Sequence, residues 1–217
     1  MCKELLKRVK SIRRIYFRKN FMRKKPVERA ELSCRTWFSK MDGILSPREW
    51  IDAARRAGVW AIAITDFQST EVFADAAQAV DELRREARPE GLDFKVLYGL
   101  ETVLEDGCFV HLLVQRQEGL AQLYRLLEIA WQGRENRPFL RKEEINEHRT
   151  GLLVGCSGKN GEVCRGILND LDDARLEEIA GFYDYLSVLT PQHYRLLSTR
   201  EHAPCSEALG AEELILK

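Results

Sequence analysis

The sequence contains few residues that could bind a metal ion or activate water, and they are widely spaced. Of its four histidines, only His111 lies inside an apolar run, 109–115, that predicts a strand. Two carboxylates, Asp66 and Glu101, each follow another apolar run. Imidazole and carboxylate groups hold Zn²⁺, Mn²⁺ or Fe, and such ions make bound water acidic enough for hydrolysis. These residues indicate metal-assisted hydrolysis, although each one by itself is also explained by a hydrogen-bonded structural role.

The elements that must position these side chains are short apolar runs that alternate with longer helical patterns. This alternation is typical of βα units, which form a parallel sheet or barrel. One helix starts at Ser46-Pro47, an N-cap followed by a proline in the first turn, and stops at Gly58. The predicted strands are 30–34, 60–65, 94–100, 109–115, 151–155 and 185–189. The other predicted helices are 69–87, 120–130, 142–148, 161–168 and 174–182.

In parallel βα folds the functional groups project from the carboxyl ends of the strands and from the loops that follow. The polar residues predicted at those ends are Ser33, Arg35, Asp66, Glu101, Cys156, Ser157 and Asp184. Only His111 adds an imidazole to this set, whereas a hydrolytic metal cluster needs several such ligands. The sequence therefore predicts a pocket at these strand ends that is poor in metal ligands.

The positive charge is concentrated at the start of the chain. Residues 1–25 hold 11 Lys and Arg against one Glu, which leaves 23 basic and 33 acidic side chains for the rest. Leu5, Val9, Ile12 and Tyr16 follow helical spacing, so residues 3–24 are predicted to form a basic amphipathic helix. Four interpretations stay open for this arm: a partner-docking tail, a membrane-surface helix, a targeting peptide, or a nucleic-acid contact. The contact residues would be Lys7, Arg8, Arg14 and Arg18.

The cysteines favour a reducing compartment. There are six of them, without any Cys-x-x-Cys pair. No signal peptide and no long apolar run accompany them. Reduced thiols in a cytoplasmic protein are therefore expected.

Several ordered segments together resemble the PHP (polymerase and histidinol phosphatase) domain of PolC-type DNA polymerase III, over roughly residues 28–197. They are ERAELSCRTWFSKMDGILSPREW (28–50), GVWAIAITDF (58–67), KVLYGLE (95–101), HLLVQRQEGLAQLYRLL (111–127), EHRTGLLVGCSGKNGEVCRGIL (147–168) and LEEIAGFYDYLSV (176–188). The resemblance implies a distorted (β/α)₇ barrel. In that family the barrel binds a cluster of metal ions, and in some polymerases it performs proofreading or phosphoester hydrolysis.

The resemblance also implies which metal ligands this chain has lost. The His-x-His motif of the family is Ser33-Cys34-Arg35 here, and its Thr-Asp-His motif is Thr65-Asp66-Phe67. Its cysteine ligand aligns with Gly158, while Cys156 lies two positions earlier. The ligand positions that match the family pattern are Asp42, Glu101 and His111. The final motif of the family would lie beyond this chain.

Two carboxylates and one imidazole suit at most one weakly bound divalent ion (Zn, Mn or Mg), and we expect no catalytic residue. Arg35 stands where a metal-bound imidazole belongs, so its permanent charge should repel a divalent ion and pair with Asp42 or Glu101. The resemblance thus predicts an inactive PHP module, a binding or regulatory element of DNA replication or repair. The alternatives are a phosphoesterase or 3′–5′ exonuclease with a reduced metal site, and a truncated relic.

The predicted organisation is a helical arm at 1–27, an α/β domain at 28–200 and a tail at 201–217. The exonuclease that PolC proteins carry inside this region is absent, because residues 104–107 lead directly into the strand of His111. The last βα unit is also missing, which predicts an incomplete barrel with an open sheet edge. We expect residues 207–217, a replication protein or a second copy of the chain to cover that edge.

Overall fold

The computed structural model describes residues 29–39, 42–86, 94–132 and 137–187. The predicted arm at 1–27 and the tail at 201–217 lie outside the described residues. The strands are β1 Ala30–Cys34, β2 Ala61–Ile64, β3 Lys95–Val103, β4 Phe109–Val114, β5 Leu152–Cys156 and β6 Tyr185–Leu186. The helices are α1 Pro47–Arg56, α2 Phe73–Glu86, α3 Gln117–Trp131, α4 Lys142–Glu147, α5 Glu162–Leu168 and α6 Asp173–Gly181. The described residues divide into two compact units, one within 25–155 and one that begins at Cys156.

The first unit is built on neighbouring strands in chain order. β1 pairs with β2 and β2 with β3, both in parallel. All four residues of β2 are buried, as expected of a strand that is covered on both faces. This mixed α/β fold confirms the predicted class and is consistent with an incomplete barrel. No helix in the described part of the chain is long and apolar enough to cross a membrane.

The start of α1 shows how local sequence positions an element. The Ser46 hydroxyl accepts a hydrogen bond from the Glu49 backbone N–H (3.2 Å), and the Glu49 carboxylate accepts one from the Ser46 N–H (2.8 Å). This reciprocal capping box satisfies two N–H groups that lack partners in the helix. The same hydrogen bonds from Ser46 lower the pKa of Glu49. The helix start that Ser46-Pro47 predicts is therefore confirmed.

The connection between β3 and β4 corrects the prediction of a purely parallel sheet. These strands form an antiparallel pair, with Glu101 opposite His111. A parallel crossover needs a dozen or more residues, and only five residues separate Val103 from Phe109. Gly107, with φ of +80°, adopts the left-handed backbone conformation in this tight turn. The absence of an inserted domain thus leaves a β-hairpin.

Two predicted boundaries are also wrong. α2 begins at Phe73 rather than at residue 69, because Gln68 has a positive φ of 54° and the chain makes a turn before the helix starts. β3 continues to Val103 rather than ending at residue 100, since pairing with β4 extends it. Glu101 is consequently an interior residue of a strand, fixed by neighbours on both sides.

Candidate functional site

Arg35, the residue after β1, lies between two carboxylates. Its Nη1 contacts Oδ2 of Asp42 and its Nη2 contacts Oε2 of Glu101. The exposed fractions of the side chains are 24% for Arg35, 63% for Asp42 and 3% for Glu101. The guanidinium therefore connects a buried carboxylate to one at the surface. The predicted pairing of Arg35 with Asp42 or Glu101 is confirmed, and it involves both residues.

The buried carboxylate of Glu101 has a second partner, His111. The two residues face each other in the β3–β4 ladder, so their side chains project from the same face of the sheet. Oε1 of Glu101 lies 3.1 Å from Nε2 of His111. Nδ1 of His111 is buried and has no hydrogen-bond partner among the described residues. Because an unpaired N–H costs more than an unpaired lone pair in such a position, we assign the proton of the neutral ring to Nε2, which donates to Glu101.

The contact between Glu101 and Arg35 is an ion pair without an aligned hydrogen bond. Within the described residues, Oε2 of Glu101 has no hydrogen-bond donor in suitable geometry, although the Arg35 guanidinium touches it. The attraction between opposite charges depends on distance more than on angle. Arg35 therefore acts on Glu101 chiefly through its charge.

The loop after β1 brings Asp42 back towards Arg35. The backbone N–H groups of Asp42 and Gly43 both donate to the carbonyl of Ser39, at 3.0 Å. A Cβ atom at Gly43 would lie 1.9 Å from the carbonyl oxygen of Thr36. Only glycine permits this close approach of two backbone segments. Gly43 is thus required for the turn that places Asp42.

Asp66 is fully buried and serves a different purpose from the one a metal ligand would have. Its Oδ1 accepts hydrogen bonds from the Thr36 N–H (2.7 Å) and the Ser39 hydroxyl (2.6 Å), and its Oδ2 accepts one from the Thr36 hydroxyl (2.7 Å). These donors replace the water that the carboxylate loses on burial. Asp66, predicted as a pocket residue, therefore fixes the loop after β1, in line with the structural role that was its alternative.

Phe67 and Ser33 occupy two of the predicted lost-ligand positions. Phe67 forms a bridge with Glu101 and stacks on Phe109, with ring centroids 5.4 Å apart and an angle of 28° between the planes. An apolar ring therefore lies beside the buried carboxylate, where it offers no ligand. Ser33 is exposed on β1.

The other predicted site residues belong to the second unit or lie outside the described residues. Cys156 is buried at the end of β5, where desolvation raises the pKa of its thiol. Gly158 is buried, and Asp184 is exposed just before β6. Lys7, Arg8, Arg14 and Arg18 lie outside the described residues. Cys34, Cys108, Cys156 and Cys164 are free thiols, as predicted for them.

The sequence analysis missed Thr36 and Ser39. Both side chains are buried and both bind Asp66. The available signal was the polar stretch that follows β1 directly, combined with the need of a buried aspartate for several donors. Neither residue points to chemistry by its type alone.

Comparison with known proteins identifies the family. The family model of the PHP domain matches residues 31–193. This chain belongs to the PHP domain family. The predicted resemblance is thereby confirmed, and the match covers every element from β1 to β6.

The PHP domain is similar in sequence to part of much longer proteins. It is 38% identical over 99 residues to a PolC-type DNA polymerase III of Halalkalibacterium halodurans, covering 45% of this chain and 7% of that protein. It is 42% identical over 79 residues to the PolC-type enzyme of Thermotoga maritima, covering 36% of this chain and 6% of that protein. The chain thus spans less than a tenth of the length of these curated relatives.

One solved structure covers most of the PHP domain. It is that of a protein from Bifidobacterium adolescentis whose name describes a metal-dependent phosphoesterase. The superposition has a TM-score of 0.47 at 18% sequence identity and covers 81% of this chain and 84% of the other.

The donor set of this PHP domain does not fit a metal cluster. Among the described residues, no three His, Cys, Asp or Glu side chains are grouped so that they could hold a metal ion. The predicted remnant ligands Asp42, Glu101 and His111 do come together, but the two carboxylates contact Arg35 and His111 Nε2 contacts Glu101. Each donor is already engaged with another side chain. No hydrolytic step is therefore derived through a metal at this position.

Proposed function

We propose that this PHP domain is a non-hydrolytic module that acts by binding, as a regulatory or structural element of DNA replication or repair. The observation that supports it is the guanidinium of Arg35 in contact with both Asp42 and Glu101. Two unit charges 4 Å apart at an effective dielectric constant of 20 interact by roughly 4 kcal/mol, and a divalent ion doubles that repulsion. A permanent cation in this position therefore opposes a metal ion in the same place.

The link to replication rests on relatives. The similar curated proteins are DNA polymerases III of the PolC type. Their polymerase activity belongs to proteins of which this chain matches 6–7% of the length, so we propose a binding role rather than synthesis. A replication protein or a second copy of the chain is the proposed partner, and the cytoplasm its proposed location.

The test is a metal analysis combined with activity assays on the full chain. Protein purified in the presence of Zn²⁺ or Mn²⁺ is expected to contain substoichiometric metal. It should also release no phosphate from a phosphomonoester and no nucleotide from 3′-labelled single-stranded DNA. Stoichiometric metal together with turnover that Glu101→Ala abolishes would overturn the proposal.

A metal-dependent phosphoesterase with a reduced site is the second candidate. It is favoured by the pairing of Glu101 with His111, which keeps a carboxylate and an imidazole side by side in a buried position. In that case His111→Ala lowers the metal content and the hydrolysis rate together. A rate that does not change in this variant excludes it.

The basic arm is proposed as an additional nucleic-acid contact. Lys7, Arg8, Arg14 and Arg18 would neutralise phosphates, because residues 1–25 are basic and the remainder of the chain is acidic. Changing these four residues to Gln in the full chain should weaken DNA binding and flatten its salt dependence. Equal binding by the variant and the original chain excludes the arm as the contact.

A further inference from the structure

The charge balance around Arg35 has one further consequence. Glu101 is 2% exposed, and the cation in contact with its Oε2 is the Arg35 guanidinium. Asp42 contacts the same guanidinium from the surface side. Two carboxylates thus converge on one positive group, and removing that group leaves a buried negative charge without compensation. Such a charge is costly unless another cation replaces the lost one.

We propose that Arg35 is an intramolecular cation that excludes divalent ions, and that its loss turns Asp42 and Glu101 into a Mn²⁺ site. This inference rests on the proposed non-hydrolytic function. Both carboxylates touch one planar group, so small side-chain movements bring them to a single ion. Carboxylate and water oxygens are the ligands that Mn²⁺ and Mg²⁺ prefer.

His111 has the position of a supporting residue in such a site. Its Nε2 lies on Oε1 of Glu101, which leaves Oε2 for the ion. Metal-binding carboxylates are commonly held by hydrogen bonds of this kind. Thr65 adds a second polar group nearby, because its backbone N–H donates to the Cys34 carbonyl (2.9 Å) and its hydroxyl has no partner among the described residues. Room for polar ligands therefore exists beside the ion pair.

The experiment measures Mn²⁺ binding by electron paramagnetic resonance on four forms of the full chain. Arg35→Ala is expected to bind one Mn²⁺ at least about tenfold more tightly than the original chain, because the repulsion by the guanidinium is removed. Arg35→Lys keeps the charge and should bind no more tightly than the original. Adding Glu101→Gln to Arg35→Ala should abolish the gain.

A folded Arg35→Ala chain that binds Mn²⁺ no more tightly than the original, or whose gain survives Glu101→Gln, overturns the inference. If Arg35→Ala does not fold, Arg35→Met keeps the length of the aliphatic stem and is titrated instead. Failure of Mn²⁺ to bind or refold both variants also overturns it. Stoichiometric Mn²⁺ in the original chain would instead contradict the proposed function, so the two failures are distinguishable.

Discussion

Asp66 and Glu101 are both buried carboxylates near the ends of neighbouring parallel strands, and they are stabilised by different means. Asp66 accepts three hydrogen bonds from neutral groups of Thr36 and Ser39. Glu101 contacts the charged Arg35 and the ring of His111. Neutral donors in fixed positions lock a loop, whereas a charge partner can be exchanged for another cation. The Asp66 position is therefore structural, and the Glu101 position is where binding properties can change.

The largest effect is expected at Asp66. Asp66→Ala leaves three buried donors, on Thr36 and Ser39, without an acceptor. We expect the free energy of unfolding to fall by about 3–5 kcal/mol, measured by urea denaturation. Glu71→Gln, at an exposed position, is the control and should change it by less than about 0.5 kcal/mol. A small loss in Asp66→Ala would show that the loop is not held through this carboxylate.

A smaller loss is expected when the charge partner of Glu101 is removed. Arg35→Met, measured with a chelator present, should lower the free energy of unfolding by about 2–3 kcal/mol, because the buried carboxylate loses its cation. Glu101→Gln in the same chain should restore part of this loss, since the amide is neutral. Additive losses in the double variant would contradict a direct charge interaction between the two residues.

The other half of the ion pair should matter little. Asp42 is 63% exposed, so water screens its attraction to Arg35. Asp42→Asn is expected to change the free energy of unfolding by about 0–1 kcal/mol in urea. A loss as large as that of Arg35→Met would mean that Asp42, rather than Glu101, is the important partner of the guanidinium.

The smallest effect concerns Cys34, which lies directly before Arg35 and Thr36. Burial, and secondly the charge of Glu31, raise the pKa of its thiol from 9.0 to about 12. A raised folded-state pKa means that the contribution to stability is complete below the unfolded-state pKa and is lost as the pH rises towards the folded-state value. Stability should therefore decline between pH 9.0 and about 12. Thermal unfolding of Cys34→Ala should show a weaker decline, and an identical pH profile would exclude this thiol as the cause.

The fold was accessible from the sequence wherever local patterns determine structure. The apolar run of β2 and the Ser46-Pro47 start of α1 were predicted because burial and capping act over a few residues. The hairpin between β3 and β4 was missed, since the direction of a strand depends on its pairing partner. The extension of β3 past residue 100 has the same origin, and it places Glu101 inside the strand.

The sequence by itself determined the family, the α/β class and the residue types of the site, including a guanidinium at position 35 in place of an imidazole. Only the tertiary structure decided which carboxylate is structural and which is paired with charge. That distinction depends on contacts between residues far apart in the chain, such as Thr36 with Asp66 and Arg35 with Glu101. Burial makes each contact strong, and burial is a property of the packed molecule.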